Sequence, residues 1–233
     1  MKGKWLWGIL AFLWMESCLL GCNTQEATPV FTATQSTAAN LHAASGLAFP
    51  YTMSDHSLVA EGLLSYEGQY WEDGSGDEVR GVAALMLFNP TNRFIPFGAF
   101  AVEQGGKQLY FFVYQLPPMS RCLILEKNRQ AYSSQPVSQV KTLSVRWDYQ
   151  EMSREQIDYL GFGPQLTLIN RDTRQQKHVI VYYKRYEKKE DYYLGGVAYT
   201  AHFFSMETQE HRTVSPPHYD AGHAKIVAIK LES

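Results

Sequence analysis

The residues best suited to chemistry lie close together near the C-terminus, in the segment PPHYDAGH at 216–223. This segment contains His218, Asp220 and His223, and His211 lies a few residues upstream. Imidazole and carboxylate groups are ligands that zinc binds in proteins, so the spacing is compatible with a metal site. The prolines and the glycine, however, indicate a loop, and a strand-like apolar run follows it directly. We interpret the segment as a connecting loop and predict no metal site.

The same loop contains the residue types of a hydrolase triad, namely Ser215, His218 and Asp220. Triads of this kind are assembled from distant segments and need an oxyanion hole, whereas these three residues share one short loop. The chain also has no G-x-S-x-G turn. We therefore predict that the protein is not an enzyme, has no catalytic residues and needs no cofactor.

Acidic residues are concentrated in EDGSGDE at 72–78, which contains Glu72, Asp73, Asp77 and Glu78. Oxygen-rich loops can bind calcium, but the spacing is not that of a twelve-residue calcium loop. We interpret the segment as a solvated hairpin turn. The chain from Asp55 to Glu78 has seven acidic residues and no basic one, which predicts an electronegative surface.

Aromatic and basic residues alternate in VYYKRYEKKEDYYLGG at 181–196. Side chains of these two kinds can stack on sugars and bind anions, and the best-placed candidates for such a site are Tyr186, Lys188, Lys189 and Tyr192. The structural alternative is a long hairpin, in which tyrosines pair across the strands and the charged tip keeps an edge soluble. If one surface of the protein binds a partner, we expect it to be this hairpin.

Composition sets the limits for these candidate sites. The chain has 233 residues, of which 45% are hydrophobic and 19% are charged, as is usual for folded globular proteins. The net charge is −2 and the pI is about 6.4, so there is no general basic field to attract nucleic acid. We predict no nucleic-acid partner.

From Leu58 onwards, apolar and aromatic runs of strand length alternate with turns rich in Gly, Pro, Asn and Asp. EQGGKQ at 103–108 is a hairpin signal, because glycine reaches the positive φ that tight turns require. YQEMSREQIDYLG at 149–161 is the best helix candidate, with a turn or two closed by Gly161. The pattern predicts an all-β protein.

The second half of the chain repeats the order of the first. LMLFN at 85–89 has a counterpart in LTLIN at 166–170, and each is followed by a polar turn and further strand-like runs. Two antiparallel β-sandwich domains, over 58–148 and 149–233, would explain this order. The alternative is a chance similarity between unrelated antiparallel modules.

Several of these segments resemble parts of surface lipoproteins from Gram-positive bacteria: YEGQYWEDGSGDEVRGVAALMLFNPTN, YFFVYQLPPMSRCLILEKNRQAYS and VYYKRYEKKEDYYLGGVAYTAHFF. Each half also resembles the small immunoglobulin-like sandwiches of the FxLYD kind, although no literal F-x-L-Y-D occurs. The resemblance covers roughly Leu58 to the C-terminus. It implies two tandem immunoglobulin-like domains and a place at the cell surface, and it brings no catalytic residues.

The N-terminus predicts the location of the protein. Lys2 and Lys4 precede the apolar run WLWGILAFLWM, which is too short to cross a bilayer but is typical of a signal peptide. Leu19–Cys22 then resembles the lipobox of bacterial lipoproteins, which implies cleavage after residue 21 and lipid on Cys22. Residues 22–57 are polar and threonine-rich, as expected of a flexible linker. An ordinary secretory signal or an uncleaved anchor remains the alternative.

Cysteine usage agrees with this interpretation. Cys18 would leave with the signal peptide and Cys22 would carry the lipid, so only Cys122 remains in the mature domains. A single thiol cannot form an internal disulfide. Cys122 lies in the apolar run RCLILE, and we expect it to be a small buried residue.

These observations together predict a non-enzymatic lipoprotein on the extracytoplasmic face of the cell membrane, which adheres to, scaffolds or binds a cell-wall polymer or an envelope protein. Its contact with the membrane is the lipid anchor. One alternative is a glycan- or solute-binding lipoprotein, which requires a concave pocket lined by aromatic side chains. The other is an enzyme, which requires polar residues from both domains to converge on a cleft.

The lipid anchor can be tested directly. Metabolic labelling with a fatty-acid probe should mark the wild-type protein and leave Cys22→Ala unlabelled, because that substitution removes the acylated thiol. Equal labelling of the two proteins would contradict the lipobox interpretation.

Overall fold

Strands account for all the regular structure of the described residues. A computed structural model describes residues 46–148 and 155–232, and this part of the chain forms thirteen β-strands and no helix. The all-β prediction is confirmed. Within the same residues no helix is long and apolar enough to cross a membrane. Cys22, the predicted signal peptide and most of the predicted linker lie outside the described residues.

The strands are β1 (Tyr51–Thr52), β2 (Val59–Gln69), β3 (Glu78–Asn89), β4 (Phe94–Gln104), β5 (Lys107–Leu116), β6 (Ser120–Leu125), β7 (Val137–Asp148), β8 (Ile157–Phe162), β9 (Gln165–Asn170), β10 (Gln176–Glu187), β11 (Tyr192–Met206), β12 (His211–Val214) and β13 (Ala224–Glu232).

These strands form one large sheet and two small ones. The large sheet has seven strands in the order β1-β2-β3-β6-β11-β10-β13, and the small sheets have the orders β5-β4-β7 and β12-β9-β8. One core contains Leu85, Phe100 and Phe111 from β3, β4 and β5. A second contains Leu168 and Phe203, from β9 and β11. Each small sheet therefore buries its apolar face against a different part of the large sheet.

The two halves of the chain have the same strand pairing. In the first half, β2-β3-β6 form one three-stranded set and β5-β4-β7 another. In the second half the sets are β8-β9-β12 and β11-β10-β13. Strands β8 to β13 therefore correspond, in the same order, to strands β2 to β7. The halves join where β6 runs parallel to β11, with Cys122 opposite Tyr193 and Leu123 opposite Leu194.

The repeated LMLFN and LTLIN segments end at two equivalent, fully buried asparagines. Asn89 Nδ2 donates to the carbonyls of Arg93 and Pro117, at 2.8 and 3.0 Å. Asn170 Nδ2 donates to the carbonyl of Arg174 at 2.9 Å and to the carbonyls of Met206 and Glu207, at the end of β11. Each Oδ1 accepts the backbone N–H two residues further on. Each asparagine thus closes the turn that follows it. It also binds a later connection, the one after β5 for Asn89 and the one after β11 for Asn170.

The hairpin predicted at EQGGKQ is confirmed. β4 and β5 are joined through Gly105 and Gly106, which have φ values of +55° and +76°. Both angles lie in the left-handed region, which glycine reaches without steric cost.

The helix predicted over 149–161 is wrong for the part that the structure describes, because Ile157–Phe162 is strand β8. Ile157 is fully buried in the second core, and every residue of β8 pairs with β9, from Ile157 opposite Asn170 to Phe162 opposite Gln165. This sheet pairing outweighs a weak local helix preference.

The buried asparagines should be essential for stability. Asn170→Ala removes a fully buried side chain that donates to three carbonyls, so we expect a loss of about 2–4 kcal/mol in the free energy of unfolding, and a similar loss for Asn89→Ala. Urea denaturation measures this loss. Asn92→Ala, at an exposed position of the turn that follows Asn89, is the matched control and should change stability by less than about 0.5 kcal/mol. Equal stability of all three variants would contradict the anchoring role.

Candidate functional site

The structure separates the four residues predicted to form a binding surface. Tyr186 on β10 lies opposite Tyr193, and Glu187 lies opposite Tyr192. Side chains alternate between the faces of a strand, so Tyr186 and Tyr192 point to opposite faces of the hairpin. Tyr192 is only 4% exposed and packs in an aromatic cluster at the junction of the halves. Lys188 and Lys189 lie exposed in the turn.

Tyr186 instead lines a cleft of about 210 Å³ between the two halves, which we call the junction cleft. One wall is the connection from β5 to β6, and the other combines the β10–β11 hairpin with the start of β13. Its lining residues are Pro117, Pro118, Met119, Ser120, Arg121, Tyr186, Asp191, Tyr193, Lys225, Ile226 and Val227.

Two tyrosines and a lysine form the centre of the second wall. The Lys225 ammonium lies 4.4 Å from the ring centre of Tyr186 and 5.7 Å from that of Tyr193, within the range of cation–π attraction. The two rings are 5.3 Å apart. The Tyr186 hydroxyl donates to the Asp191 carboxylate, and this hydrogen bond together with burial raises the pKa of Tyr186.

Arg121 and Lys225, two cations that line the junction cleft, differ in whether they have a carboxylate partner. Arg121 Nε donates to both carboxylate oxygens of Glu61, at 3.0 and 2.9 Å, and this hydrogen bond raises the pKa of Arg121. Lys225 is exposed, and within residues 46–148 and 155–232 no carboxylate lies within ion-pair distance of it. The junction cleft therefore presents a lysine cation whose charge is available to a ligand.

Sequence patterns indicated only part of this cleft. Tyr186 was a candidate because it lies in an aromatic and basic segment, whereas Lys225 and the stretch Pro117–Arg121 carry no local signature of a site. The proline pair indicates a turn, and Lys225 is the second residue of an ordinary apolar strand. Only the packing of the two halves brings them together.

The predicted electronegative surface is largely neutralised by arginines from other parts of the chain. Arg129 donates to Asp73 and Asp77, at 2.6 and 2.9 Å. Hydrogen bonds from Ser75, and next the Arg129 guanidinium, lower the pKa of Asp73 to about 2. Arg80 lies 3.0 Å from Glu67. The segment 72–78 connects β2 and β3, but the prediction of a solvated turn is wrong for Glu72, whose carboxylate is buried and accepts backbone N–H groups.

His218 and Asp220 of the PPHYDAGH loop have structural contacts. His218 packs on Tyr199, with ring centres 4.7 Å apart, and meets Trp71 edge-on at 6.3 Å. Asp220 accepts the backbone N–H of Gly222 and so closes a turn. No group of three or more His, Cys, Asp or Glu side chains converges as a metal site in the residues that the structure describes.

A buried acidic side chain also joins the two halves. Glu72 Oε1 accepts the N–H of Leu125 on β6 at 2.8 Å and the N–H of Gly196 on β11 at 2.7 Å. Both donors lie just beyond the two residue pairs that connect these strands. One carboxylate oxygen therefore accepts a backbone N–H from each strand at the point where the strands no longer pair with each other. We call the contacts of Glu72, together with those of Lys184 described next, the polar seam.

Lys184 completes the polar seam from the other side. Its fully buried ammonium donates to the carbonyls of Gly196, Val197 and Tyr114, at 2.7, 2.8 and 3.1 Å. Three carbonyls use all three ammonium hydrogens, and Tyr114 belongs to the first half whereas the others belong to β11. A Cβ on Gly196 would lie 1.8 Å from the Phe112 carbonyl oxygen, so only glycine permits this approach.

Burial shifts the ionisation of the groups in the polar seam. It raises the pKa of Glu72 to about 7, against the opposing effects of the two backbone hydrogen bonds and the Lys184 charge. It lowers the pKa of Lys184. Cys122 is a buried free thiol, as predicted. Burial raises the pKa of its thiol to about 12, and Sγ donates to the Gly195 carbonyl at 3.3 Å.

The polar seam predicts a specific pH dependence. The folded-state pKa of Glu72, about 7, lies above the ordinary value of 4.5, so the stability that its proton contributes is present below pH 4.5 and is lost as pH rises through 7. We expect the free energy of unfolding to fall between pH 5 and 8, by at most about 3 kcal/mol. Glu72→Gln should remove this dependence.

Denaturation at several pH values provides the measurement. Glu67→Gln, which changes a surface carboxylate paired with Arg80, is the control and should keep the wild-type profile. A Glu72→Gln profile as steep as that of the wild type would assign the dependence to other groups.

No protein family, curated protein or solved structure matches the chain. The functional proposal therefore depends on the geometry of the junction cleft.

Proposed function

We propose that the protein is a non-enzymatic binding lipoprotein of the cell envelope. In this proposal a lipid on Cys22 holds it on the extracytoplasmic face of the membrane, residues 22–57 serve as a linker, and the β-rich part recognises an anionic cell-wall polymer. The single observation that carries the proposal is the Lys225 cation above two tyrosine rings in the junction cleft.

The organisation that we propose for the β-rich part is two immunoglobulin-like sandwiches in tandem. In each half, the first, second and fifth strands form one set and the third, fourth and sixth form the other. Connections that alternate between two sheets in this way are typical of immunoglobulin-like sandwiches. The equivalent buried asparagines Asn89 and Asn170 further support two copies of one unit.

The chemistry of the junction cleft suits binding better than catalysis. The Ser120 hydroxyl donates to the Pro117 carbonyl at 2.7 Å, so it is held by backbone and not by a general base. The Asp191 carboxylate accepts the Tyr186 hydroxyl. Tyrosine faces contact sugar rings, and an exposed lysine attracts phosphate or carboxylate groups. A glycan that bears such anionic groups would satisfy both.

A protein partner is a second candidate, favoured by a different surface. Leu160 and Phe162 on β8 are 61% and 83% exposed, and both lie in the short hairpin that leads to β9. Large exposed apolar side chains that cluster on one edge are typical of protein-contact surfaces. An envelope protein that covers this hairpin would agree with a scaffolding role.

Binding of the full-length protein to isolated cell walls tests the proposal. Lys225→Glu reverses the free charge in the junction cleft, and we expect it to weaken wall binding by about tenfold or more because the cation would become an anion facing an anionic ligand. Tyr186→Leu keeps an apolar side chain but removes the aromatic face, and it should also weaken binding.

The matched control is Lys188→Glu, which makes the same charge change at the exposed tip outside the cleft lining and should have a much smaller effect. Melting temperatures must stay close to that of the wild type. If Lys225→Glu and Lys188→Glu weaken binding equally, the cleft is not the site. If only Leu160→Ser with Phe162→Ser abolishes binding, the β8 hairpin is the contact surface.

A further inference from the structure

Two histidines meet side by side on the large sheet, away from the junction cleft and the PPHYDAGH loop. His178 is on β10 and His202 on β11, and they lie diagonally across the pair of strands, opposite Phe204 and Ile180. His178 Nε2 and His202 Nδ1 are 3.0 Å apart. The ring centres are 5.2 Å apart and the ring planes differ by 23°. The two imidazoles therefore meet through their nitrogen-bearing edges. We call them the histidine pair.

The outer nitrogen of each ring has its own oxygen partner. Glu232 Oε2 on β13 lies 3.0 Å from His178 Nδ1, and Thr200 Oγ1 lies 3.3 Å from His202 Nε2. In a metal-bound form, a proton on each outer nitrogen would leave both inner nitrogens as lone-pair donors. A carboxylate behind an imidazole is the arrangement that orients metal-binding histidines in proteins.

The surroundings hold the rings in place. Phe204 stacks on His178 with ring centres 4.4 Å apart and 13° between the planes. Lys230 Nζ donates to the other oxygen of Glu232 at 2.8 Å, so the carboxylate is itself positioned. His202 is exposed, which leaves the histidine pair open to solvent on one side.

We propose that His178 Nε2 and His202 Nδ1 bind one divalent transition-metal ion, with Glu232 and Thr200 as their outer hydrogen-bond partners. Imidazole nitrogens suit Cu²⁺, Ni²⁺ and Zn²⁺, and Cu²⁺ should bind most tightly of the three. Two nitrogens bound at right angles at about 2.1 Å are about 3 Å apart, close to the separation seen here. Solvent or a ligand from a partner fills the remaining positions.

Metal binding would replace the hydrogen bond between the two rings. In the metal-free pair one inner nitrogen carries the hydrogen-bonded proton. When the ion binds, this N–H proton passes to solvent and the same ring takes up a proton at its outer nitrogen, so that both rings stay neutral and both inner lone pairs point at the ion. No redox change is involved. The site uses none of the cleft residues, so it is independent of the proposed binding function.

Titration calorimetry of the full-length protein with Cu²⁺, Ni²⁺ and Zn²⁺ tests the site. We expect a site that binds one metal ion, with Cu²⁺ tightest, and a loss of at least about tenfold in affinity at this site for His178→Ala and for His202→Ala separately. Glu232→Gln should weaken binding by about 10–100-fold, because it loosens the orientation of His178 without removing a ligand.

Electron paramagnetic resonance of the Cu²⁺ complex gives a second readout. The wild-type spectrum should show two coordinated imidazole nitrogens, and each histidine variant should show one fewer. His211→Ala and His223→Ala are the controls and should bind the metal as the wild type does. His202→Asn, at an exposed position, keeps the test valid if His178→Ala fails to fold. Wild-type affinity in His202→Asn, or no binding by the wild-type protein, would overturn the proposal.

Discussion

The arrangement of the whole β-rich part depends on how two strands from different halves of the chain meet. β6 and β11 run parallel and share only two residue pairs. Beyond these pairs, backbone N–H and carbonyl groups would be buried without partners, and each such group costs about as much as a lost hydrogen bond. Glu72 and Lys184 supply the missing partners. The polar seam thus allows the strands to diverge inside the protein without leaving polar groups unsatisfied.

A seam of this kind imposes a definite geometry. A buried carboxylate and a buried ammonium are tolerated only where each is fully hydrogen-bonded, since desolvation of an unpaired charge is expensive. Gly196 adds a steric requirement, because its backbone lies against the Phe112 carbonyl of β5. The two walls of the junction cleft are therefore held by the same contacts that join the halves. A cleft held in place before a ligand arrives loses less entropy when the ligand binds.

The two halves have the same strand order but present different surfaces. The buried asparagine binds the connection after β5 in the first half and the one after β11 in the second half. Only the connection after β5 also forms a wall of the junction cleft. The histidine pair occurs only on the second half, on β10 and β11. The repeated features are those that close turns and fill cores, and the features that differ are exposed side chains, which can change without disturbing the pairing of the strands.

The sequence by itself determined the fold class, the hairpin at Gly105 and Gly106, the paired Asn89 and Asn170 segments, and the burial of Cys122. These features depend on local chemistry: alternation of apolar residues, turn residues that reach positive φ, and an apolar run around a thiol. The tertiary structure decided the rest. Pairing with β9 made Ile157–Phe162 a strand where local preference favoured a helix.

Contacts between residues far apart in the chain decided the candidate site as well. The register places Tyr186 opposite Tyr193 and leaves Tyr192 on the buried face, and an irregularity between Tyr183 and Arg185 interrupts the simple alternation on which a sequence pattern relies. Lys225 reaches Tyr186 only because β13 pairs with β10. Such placements depend on strand register and on backbone approach between distant segments, and neither leaves a local pattern in the sequence.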